Sequence, residues 1–457
     1  MSGMLPEIAV AERLADDILA VDARRLPVAL RNKCVDLVID VIGLCITARN
    51  EDYVKAALAG WDEDGACTAV GHARGLSAAG AAFVNGTATH GEDFDDTFEG
   101  GPVHAGAVIV PAVLAACERY GRPGPQALVG IAVGVETLCR LGLVIPKAVH
   151  RAGFHPTAVF GAMAAAAGVS AALGLERRQI VDALGIAGSL ASGIIEYLAE
   201  GAWTKRLHPG WAAQSGLRAT LLARSGFNGP RTVFEGTHGL FHGFAHSTQG
   251  DYEAVVGDFG RRWLTETLAF KLYPCGTMTH PYIDCARRLA EKGVRGEDVV
   301  EFVCEVGEGT VHRLWEPLAA KQKPHNGYGA KFSTPYCIAA GFVRGNVGLD
   351  SFTDAAVRDP AVLAVAEKVR YVIDPDNPYP NNFTGHIRAV MRDGRVIEER
   401  QPHIRGGAHE PLTRSDIEQK FALCAQHGGW DAARIKAALA LADKLFDGPV
   451  DLKVLRG

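Results

Sequence analysis

The sequence predicts a mainly α-helical protein with a large all-helical domain and a smaller α+β domain. Three observations lead to this prediction. Long stretches rich in Ala, Leu and Val fill the first 270 residues, turn signals separate these stretches, and short runs dense in β-branched residues follow Pro274. The chain has 457 residues, 48% of them hydrophobic, which is enough for a large core divided between two domains.

The all-helical domain is predicted to comprise residues 1–270 together with the tail, residues 404–457. Three long apolar stretches indicate its helices: Arg31–Thr47, Val108–Arg119 and Ala127–Ile145. Thr157–Leu175 is uncharged over about the length of a membrane span, but its Ala and Gly content favours a helix buried within the domain. In the tail, Thr413 precedes an amphipathic run and predicts a helix start.

The α+β domain is predicted to comprise residues 275–403. Four segments have the composition of strands: Val299–Val306, Val369–Ile373, Ile387–Met391 and Val396–Glu399. Asp393-Gly394 separates the last two and favours a hairpin turn. Two helical patterns lie between the strands: Ser333–Arg344 and Thr353–Lys368.

Composition and motifs exclude several classes of function. The net charge is −5, and the basic residues do not cluster into a stripe. Both observations argue against a nucleic-acid partner. The ten cysteines include no C-x-x-C pair, so we expect buried, reduced thiols rather than a zinc ribbon. No glycine-rich phosphate loop occurs, and no cofactor is predicted. The N-terminus lacks the pattern of a signal peptide, which predicts a cytoplasmic protein without a membrane partner.

The first polar segment that could carry chemistry runs from His90 to His104. His90, Asp93 and Thr97 would share one face if the preceding helix continued. A Gly-Gly-Pro sequence shortly before His104 permits the backbone to approach a ligand closely. The acids of this segment, Asp95 and Asp96 among them, leave two alternatives open: a solvated turn, or a divalent metal site of a hydratase.

In two further segments a histidine lies next to a helix start or close to basic residues in the sequence. His155 directly precedes Pro156 at a predicted helix start, where the helix dipole favours the neutral, basic imidazole. Lys205 and Arg206 are adjacent and could clamp a carboxylate, with His208 as an additional donor. The alternatives are a hydrogen-bonded structural histidine and a basic surface turn.

The fourth segment lies at the predicted domain junction, a position that ligand sites favour. Lys271 could bind a carboxylate there or act as a base. In an alternative scheme of the racemase type, Cys275 would be a thiol base. The sequence around Tyr336, taken alone, indicates a core residue. Several His and Lys residues without a cofactor motif suit polycarboxylate binding and proton transfer next to a carboxylate.

The four segments together resemble the MmgE/PrpD family, which includes 2-methylcitrate dehydratase, cis-aconitate decarboxylase and iminodisuccinate epimerase. The resemblance rests on Asp93-Phe94-Asp95-Asp96-Thr97 with His104, Gly153-Phe154-His155-Pro156-Thr157, Trp203-Thr204-Lys205 with His208-Pro209-Gly210, and Lys271 with Tyr273-Pro274. It implies a homodimer of chains with a helical domain and an α+β lid domain, and a cofactor-independent site between the domains. It also implies no metal.

The resemblance assigns the site residues as follows. His104, His155, Lys271 and Tyr336 are expected to be catalytic, and Asp93, Thr97 and Lys205 to bind a small di- or tricarboxylate, with Arg206 and His208 added from the carboxylate clamp described above. The loop Phe98–Gly106 differs from the Gly-His-Pro-Ser-Asp type of the dehydratases and is more similar to the epimerase-like branch. We therefore expect epimerisation of an iminodisuccinate-like substrate, with a lyase or a non-catalytic carboxylate-binding homologue as alternatives.

Overall fold

The computed structural model describes residues 7–101 and 103–457, in two compact units. The first unit comprises the chain up to Gly91, Asp95–Leu268 and Thr413–Gly457. The second comprises Glu92–Phe94 and Ala269–Leu412. The predicted fold class, mainly α with a smaller α+β part, is confirmed.

Helices make up most of the first unit. They are α1 (Val10–Ala20), α2 (Val28–Ala48), α3 (Asp52–Ala59), α4 (Ala78–Gly91), α5 (Gly106–Tyr120), α6 (Gly124–Val144), α7 (Ala148–Arg151), α8 (Pro156–Leu173), α9 (Arg177–Leu190), α10 (Tyr197–Glu200), α11 (Thr204–Arg224), α12 (Leu240–Ala245) and α13 (Glu253–Val256). The three long helices expected from the sequence correspond to α2, α5 and α6. Two short strands, β1 (Asp64–Thr68) and β2 (Gly75–Leu76), form an antiparallel hairpin that was not predicted.

Helix α8 is the centre of the first unit, because it packs against α5, α6, α9 and α11. Small residues let these helices approach to backbone contact. A Cβ atom placed on Gly130 of α6 would lie 2.7 Å from the carbonyl oxygen of Gly168 of α8, and one on Gly168 would lie 2.6 Å from that of Gly130. Both α6 and α8 are long and apolar enough to span a membrane, but 89% of each apolar window is buried within the protein, as in ordinary core helices.

The second unit contains a mixed sheet with helices packed on it. Its elements are α14 (His280–Glu291), β3 (Val299–Val306), α15 (Glu308–Leu314), α16 (Leu318–Gln322), α17 (Gly327–Ala330), α18 (Thr334–Arg344), α19 (Pro360–Ala366), β4 (Val369–Ile373), β5 (Gly385–Met391) and β6 (Val396–Gln401). The strand order is β4-β3-β5-β6, with β3 parallel to β4 and the other neighbours antiparallel. All four predicted strands are present.

One helix of the second unit is shorter than the sequence predicts. The pattern from Thr353 to Lys368 indicated a single helix, but α19 begins at Pro360. The Asp359 side chain caps this helix by accepting a hydrogen bond from the amide of Ala361, and the residue before a proline avoids the helical conformation.

The tail returns to the first unit as α20 (Arg414–His427) and α21 (Ala432–Lys444). Thr413 begins α20 as predicted: its side chain accepts a hydrogen bond from the amide of Asp416, and the Asp416 carboxylate accepts one from the amide of Thr413. Helix α20 packs against α2, where Lys420 forms a buried ion pair with Asp40, with a nitrogen–oxygen distance of 2.7 Å.

Candidate active site

Four buried histidines lie together in the first unit, and we call them the histidine cluster: His90, His104, His155 and His208. They come from the end of α4, the loop before α5, the residue that precedes α8, and α11. The ring centroids of His90 and His104 are 4.8 Å apart, and the ring of His155 lies 5.7 Å from His90, 6.2 Å from His104 and 5.3 Å from His208. The fold thus joins three segments that are far apart in the sequence.

Asp95 lies beside two of these rings. Its Oδ2 atom is 2.7 Å from Nδ1 of His90 and 3.8 Å from Nδ1 of His104. Nδ1 of His104 is also 2.7 Å from the carbonyl oxygen of Asp96, and a carbonyl can only accept. Nδ1 of His104 therefore carries a hydrogen, and Nε2 is the atom that takes up or gives away a proton.

Asp96 fixes the backbone that presents His104. Its two carboxyl oxygens accept hydrogen bonds from the amides of Ala105 and Gly106, at 3.0 and 2.8 Å, where α5 begins. Burial, together with the nearby Asp95 and Asp40, raises the pKa of Asp96 to about 8 despite these two hydrogen bonds. The His104 amide in turn donates to the Thr157 hydroxyl at 3.2 Å, which ties this loop to the first turn of α8.

His155 and His208 form a pair of neutral bases. Their Nδ1 atoms are 3.1 Å apart, so one ring donates a hydrogen bond to the other. Burial, the neighbouring His208 and the charge of Lys205 hold the pKa of His155 well below its ordinary value, and burial with His90 and Lys205 lowers that of His208 to about 3. The predicted neutral state of His155 is confirmed, but burial is its largest cause rather than the helix dipole.

The two predicted cations lie at the start of α11, and both side chains are buried. Lys205 acts electrostatically on both His155 and His208, which places its charge beside the histidine cluster. The guanidinium of Arg206 lies 4.2 Å from the centre of the Tyr53 ring, in a cation–π contact. The alternative of a basic surface turn at this position does not hold, because Lys205 and Arg206 are buried at the start of a helix.

The predicted helical face of His90, Asp93 and Thr97 is wrong, because α4 ends at Gly91. Asp93 has a positive φ of 54° and belongs to the second unit, whereas Thr97 is fully buried in the first. Asp93, Asp95 and Asp96 are also buried, so the alternative of a solvated turn does not hold. Pro102, the last residue of the predicted Gly-Gly-Pro loop, lies outside the described residues.

Lys271 and Tyr336 lie in the second unit. The buried ammonium of Lys271 donates to the carbonyl oxygen of Asp93 at 2.9 Å and lies 3.2 Å from the Asp93 carboxylate. The Tyr336 hydroxyl donates to the Ser351 carbonyl at 2.7 Å, and burial raises the pKa of Tyr336 well above its ordinary value. The catalytic roles of both residues stay predictions.

Cys275 is a buried thiol of the second unit. Burial raises its pKa, but a hydrogen bond from Cys337 and the charge of His280 outweigh that effect and lower the pKa to about 6. All ten cysteines are buried and outside any disulfide, as predicted.

His90 and Asp95 are part of this arrangement, although the sequence analysis placed neither among the expected catalytic or substrate-binding residues. The signal was present, because a histidine followed five residues later by a buried aspartate can close a hydrogen bond across the end of a helix. Ligand atoms of His90, His104 and His155 all lie within 4.8 Å of one another, so these side chains could hold a metal ion.

Comparison with known proteins assigns the family. A sequence model of the MmgE/PrpD N-terminal domain matches residues 12–253, and one of the C-terminal domain matches residues 273–444. The cis-aconitate decarboxylase-like protein oryM of Aspergillus oryzae is 28% identical over 91% of this chain and 90% of its own length.

Further relatives are two mammalian decarboxylases and a fungal dehydratase. The cis-aconitate decarboxylase of Mus musculus is 31% identical over 75% of this chain and 70% of its own length, and that of Homo sapiens is 30% identical over 82% and 79%. These relatives support the lyase alternative, and none of them supports the expected epimerisation. The chain belongs to the MmgE/PrpD family of enzymes.

Proposed function

We propose that this protein is a cofactor-independent lyase that removes CO₂ from a cis-unsaturated tricarboxylate of the cis-aconitate type. The observation that carries the proposal is the similarity to a decarboxylase-like protein over nine-tenths of both chains. The 2-methylcitrate dehydratase of Yarrowia lipolytica is 24% identical over only 56% of this chain, which favours the decarboxylase over the dehydratase.

The reaction needs one proton and a place for developing negative charge. Cleavage of the bond to the departing carboxylate leaves its electron pair on carbon, where it forms a new terminal double bond. The electrons of the original double bond then move to the carbon next to a second carboxylate, and this carbon takes up a proton. The balance is one proton consumed and one CO₂ released.

His104 is our candidate for the proton donor. Its Nδ1–H is committed to the Asp96 carbonyl, so the proton must leave from Nε2. The Asp95 carboxylate, 3.8 Å from Nδ1, can balance the charge of the imidazolium before it donates. A positioned acid of this kind contributes roughly 10²- to 10⁴-fold to the rate.

His155 and Lys205 have different roles in this scheme. When His208 donates to Nδ1 of the neutral His155, the Nε2–H of His155 can donate a hydrogen bond to a substrate carboxylate. Lys205 supplies the positive charge that stabilises the carbanion next to the retained carboxylate, and buried charges of this kind act strongly in a low-dielectric site. The scheme needs no cofactor.

The test is proton NMR of the purified protein in heavy water with cis-aconitate, 2-methylcitrate and an iminodisuccinate as separate substrates. The proposal predicts terminal alkene signals and one deuterium in the product methylene from cis-aconitate, together with released CO₂. Deuterium incorporation without CO₂ would instead show the epimerisation that the sequence favoured. No exchange with any of the three substrates would support a non-catalytic carboxylate-binding protein.

The homodimer stays a prediction, which light scattering can test.

A further inference from the structure

We propose that His90, His104 and His155 form a zinc-binding site, and that Zn²⁺ bound there blocks the histidine cluster. The second half of this statement rests on the proposed function, whereas the first does not. Three imidazoles with an open fourth position are a known ligand set for zinc. The three side chains are buried and come from the end of α4, the loop before α5 and the residue that precedes α8.

The distances are close to those that zinc requires. One ring nitrogen of each histidine lies within 4.8 Å of a ring nitrogen of the other two. In a tetrahedral site with zinc–nitrogen bonds of about 2.0–2.1 Å, the nitrogens lie about 3.3 Å apart, so each pair of ligand atoms would have to approach by at most about 1.5 Å. Rotation of the imidazole rings can supply a movement of this size, since it leaves the backbone in place.

Hydrogen bonds already orient each of the three rings. Nδ1 of His90 contacts the Asp95 carboxylate, Nδ1 of His104 donates to the Asp96 carbonyl, and Nδ1 of His155 contacts His208. A metal ion would therefore bind to the Nε2 atoms. Outer partners of this type, a carboxylate and a backbone carbonyl among them, orient the histidine ligands of zinc enzymes and increase their basicity.

The chemistry of the ligand atoms also suits zinc. The ligands contain nitrogen but no sulfur, which suits borderline divalent ions such as Zn²⁺ better than Mg²⁺ or Ca²⁺.

Bound zinc would inhibit the proposed reaction for a direct chemical reason. The Nε2 lone pair of His104 would be committed to the metal, so this atom could neither carry nor donate the proton that the carbanion needs. His155 would lose its hydrogen-bonding nitrogen in the same way. We therefore expect one equivalent of Zn²⁺ per chain to abolish turnover and a chelator to restore it.

Isothermal titration calorimetry of the tag-free protein with zinc chloride tests the site independently of activity. We expect one strong site in the wild type and its loss in His90→Gln. Asp95→Asn keeps the three ligands but removes the carboxylate, and should weaken binding by about 10- to 100-fold. The matched control is the double variant His403→Gln and His409→Gln, whose rings stack 4.4 Å apart outside the cluster, and it should bind zinc like the wild type.

X-ray absorption at the zinc edge identifies the ligands in the wild type, so the test does not depend on how well a variant folds. Three imidazole nitrogens would support the site. Sulfur ligands, fewer than three imidazoles, or binding that disappears only in the control variant would overturn it. If zinc binds at three imidazoles and cis-aconitate is not a substrate, the site stands and the proposed function fails. If zinc binds and turnover is unaffected, the inhibitory role is wrong.

Discussion

The first unit contains two groups of buried polar side chains whose partners are of opposite kinds. In the ion cluster, Glu136 accepts hydrogen bonds from Arg140 and from the amides of Leu264 and Thr265, at 2.7 to 3.0 Å. Arg140 also contacts Asp258 at 2.6 Å. Each charge in this group therefore meets an opposite charge or a dipole of the correct sign.

In the histidine cluster, the pair His155 and His208 instead brings two bases together. Burial, their mutual contact and the charge of Lys205 lower the pKa of His155, and burial, His90 and Lys205 lower that of His208. Such an arrangement gains little for folding, because the rings would repel one another if protonated. The comparison indicates that matched charges mark a structural cluster, and that a buried pair of bases beside a cation marks a candidate functional one. Four variants test this distinction.

The largest effect on catalytic rate is expected for His104→Gln. Loss of the proton donor should reduce the rate of CO₂ release from cis-aconitate by about 10²- to 10⁴-fold, with little change in the free energy of unfolding. Stopped assays of released CO₂ and urea unfolding measure the two quantities. His427→Gln, at an exposed histidine, is the control and should retain full activity. Equal activity of both variants would contradict the assigned role.

Arg140→Met should have the largest effect on stability. The substitution leaves the Glu136 carboxylate buried without its cation, which costs about 3–5 kcal/mol of the free energy of unfolding. Urea unfolding followed by far-UV circular dichroism gives the value, and the folded fraction should keep its activity. The control, Arg24→Met, removes an exposed ion pair and should leave the midpoint of urea unfolding unchanged. If Arg140→Met lost activity without losing stability, the ion cluster would be the functional one, which would contradict the distinction between the two clusters.

His208→Gln should change how stability depends on pH. The pKa of His208 is about 3 in the folded protein and about 6.5 in the unfolded chain, so acid protonates the unfolded chain first. Its contribution to stability is present above pH 6.5 and is lost as the pH falls from there toward 3. Between pH 7 and pH 5 the wild type should therefore lose about 2 kcal/mol more than the variant. Parallel curves of unfolding free energy against pH would show that His208 is not held neutral.

Thr413→Ala should have the smallest effect and provides a reference for both clusters. It removes the exposed cap of α20, which costs about 1 kcal/mol of the free energy of unfolding and should leave activity unchanged. Thermal unfolding of the variant beside Thr413→Ser, which keeps the hydroxyl, measures the loss. A loss as large as that of Arg140→Met would mean that the tail contributes far more to stability than a single cap.

The sequence predicts well those elements whose signal is local. The strand Val299–Val306 and the helix start at Thr413 were located to the residue, because β-branched density and a capping side chain act over a few positions. The hairpin of β1 and β2 escaped prediction, since its five-residue first strand, Asp64–Thr68, carries no alternation of β-branched residues.

The candidate site was predictable as a set of residues but not as a geometry. His104 and His155 could be chosen from glycine and proline neighbours and from family resemblance. The contacts of His90 with Asp95 and of His155 with His208 depend on where α4 ends and on how α8 packs against α11. The five-residue spacing of His90 and Asp95 is a weak local signal for their contact, whereas His155 and His208 lie in distant segments and no local pattern encodes theirs.

The glycine contact between α6 and α8 limits how this enzyme could be altered in the laboratory. His155 directly precedes α8, so a methyl group added at Gly130 or Gly168 would push the helix aside and displace the imidazole with it. Libraries that randomise these core positions should yield inactive proteins more often than folded ones with new preferences. Changes of substrate selectivity are better sought between Ala191 and Trp203, a largely exposed stretch whose Gly193 carbonyl accepts the His155 amide.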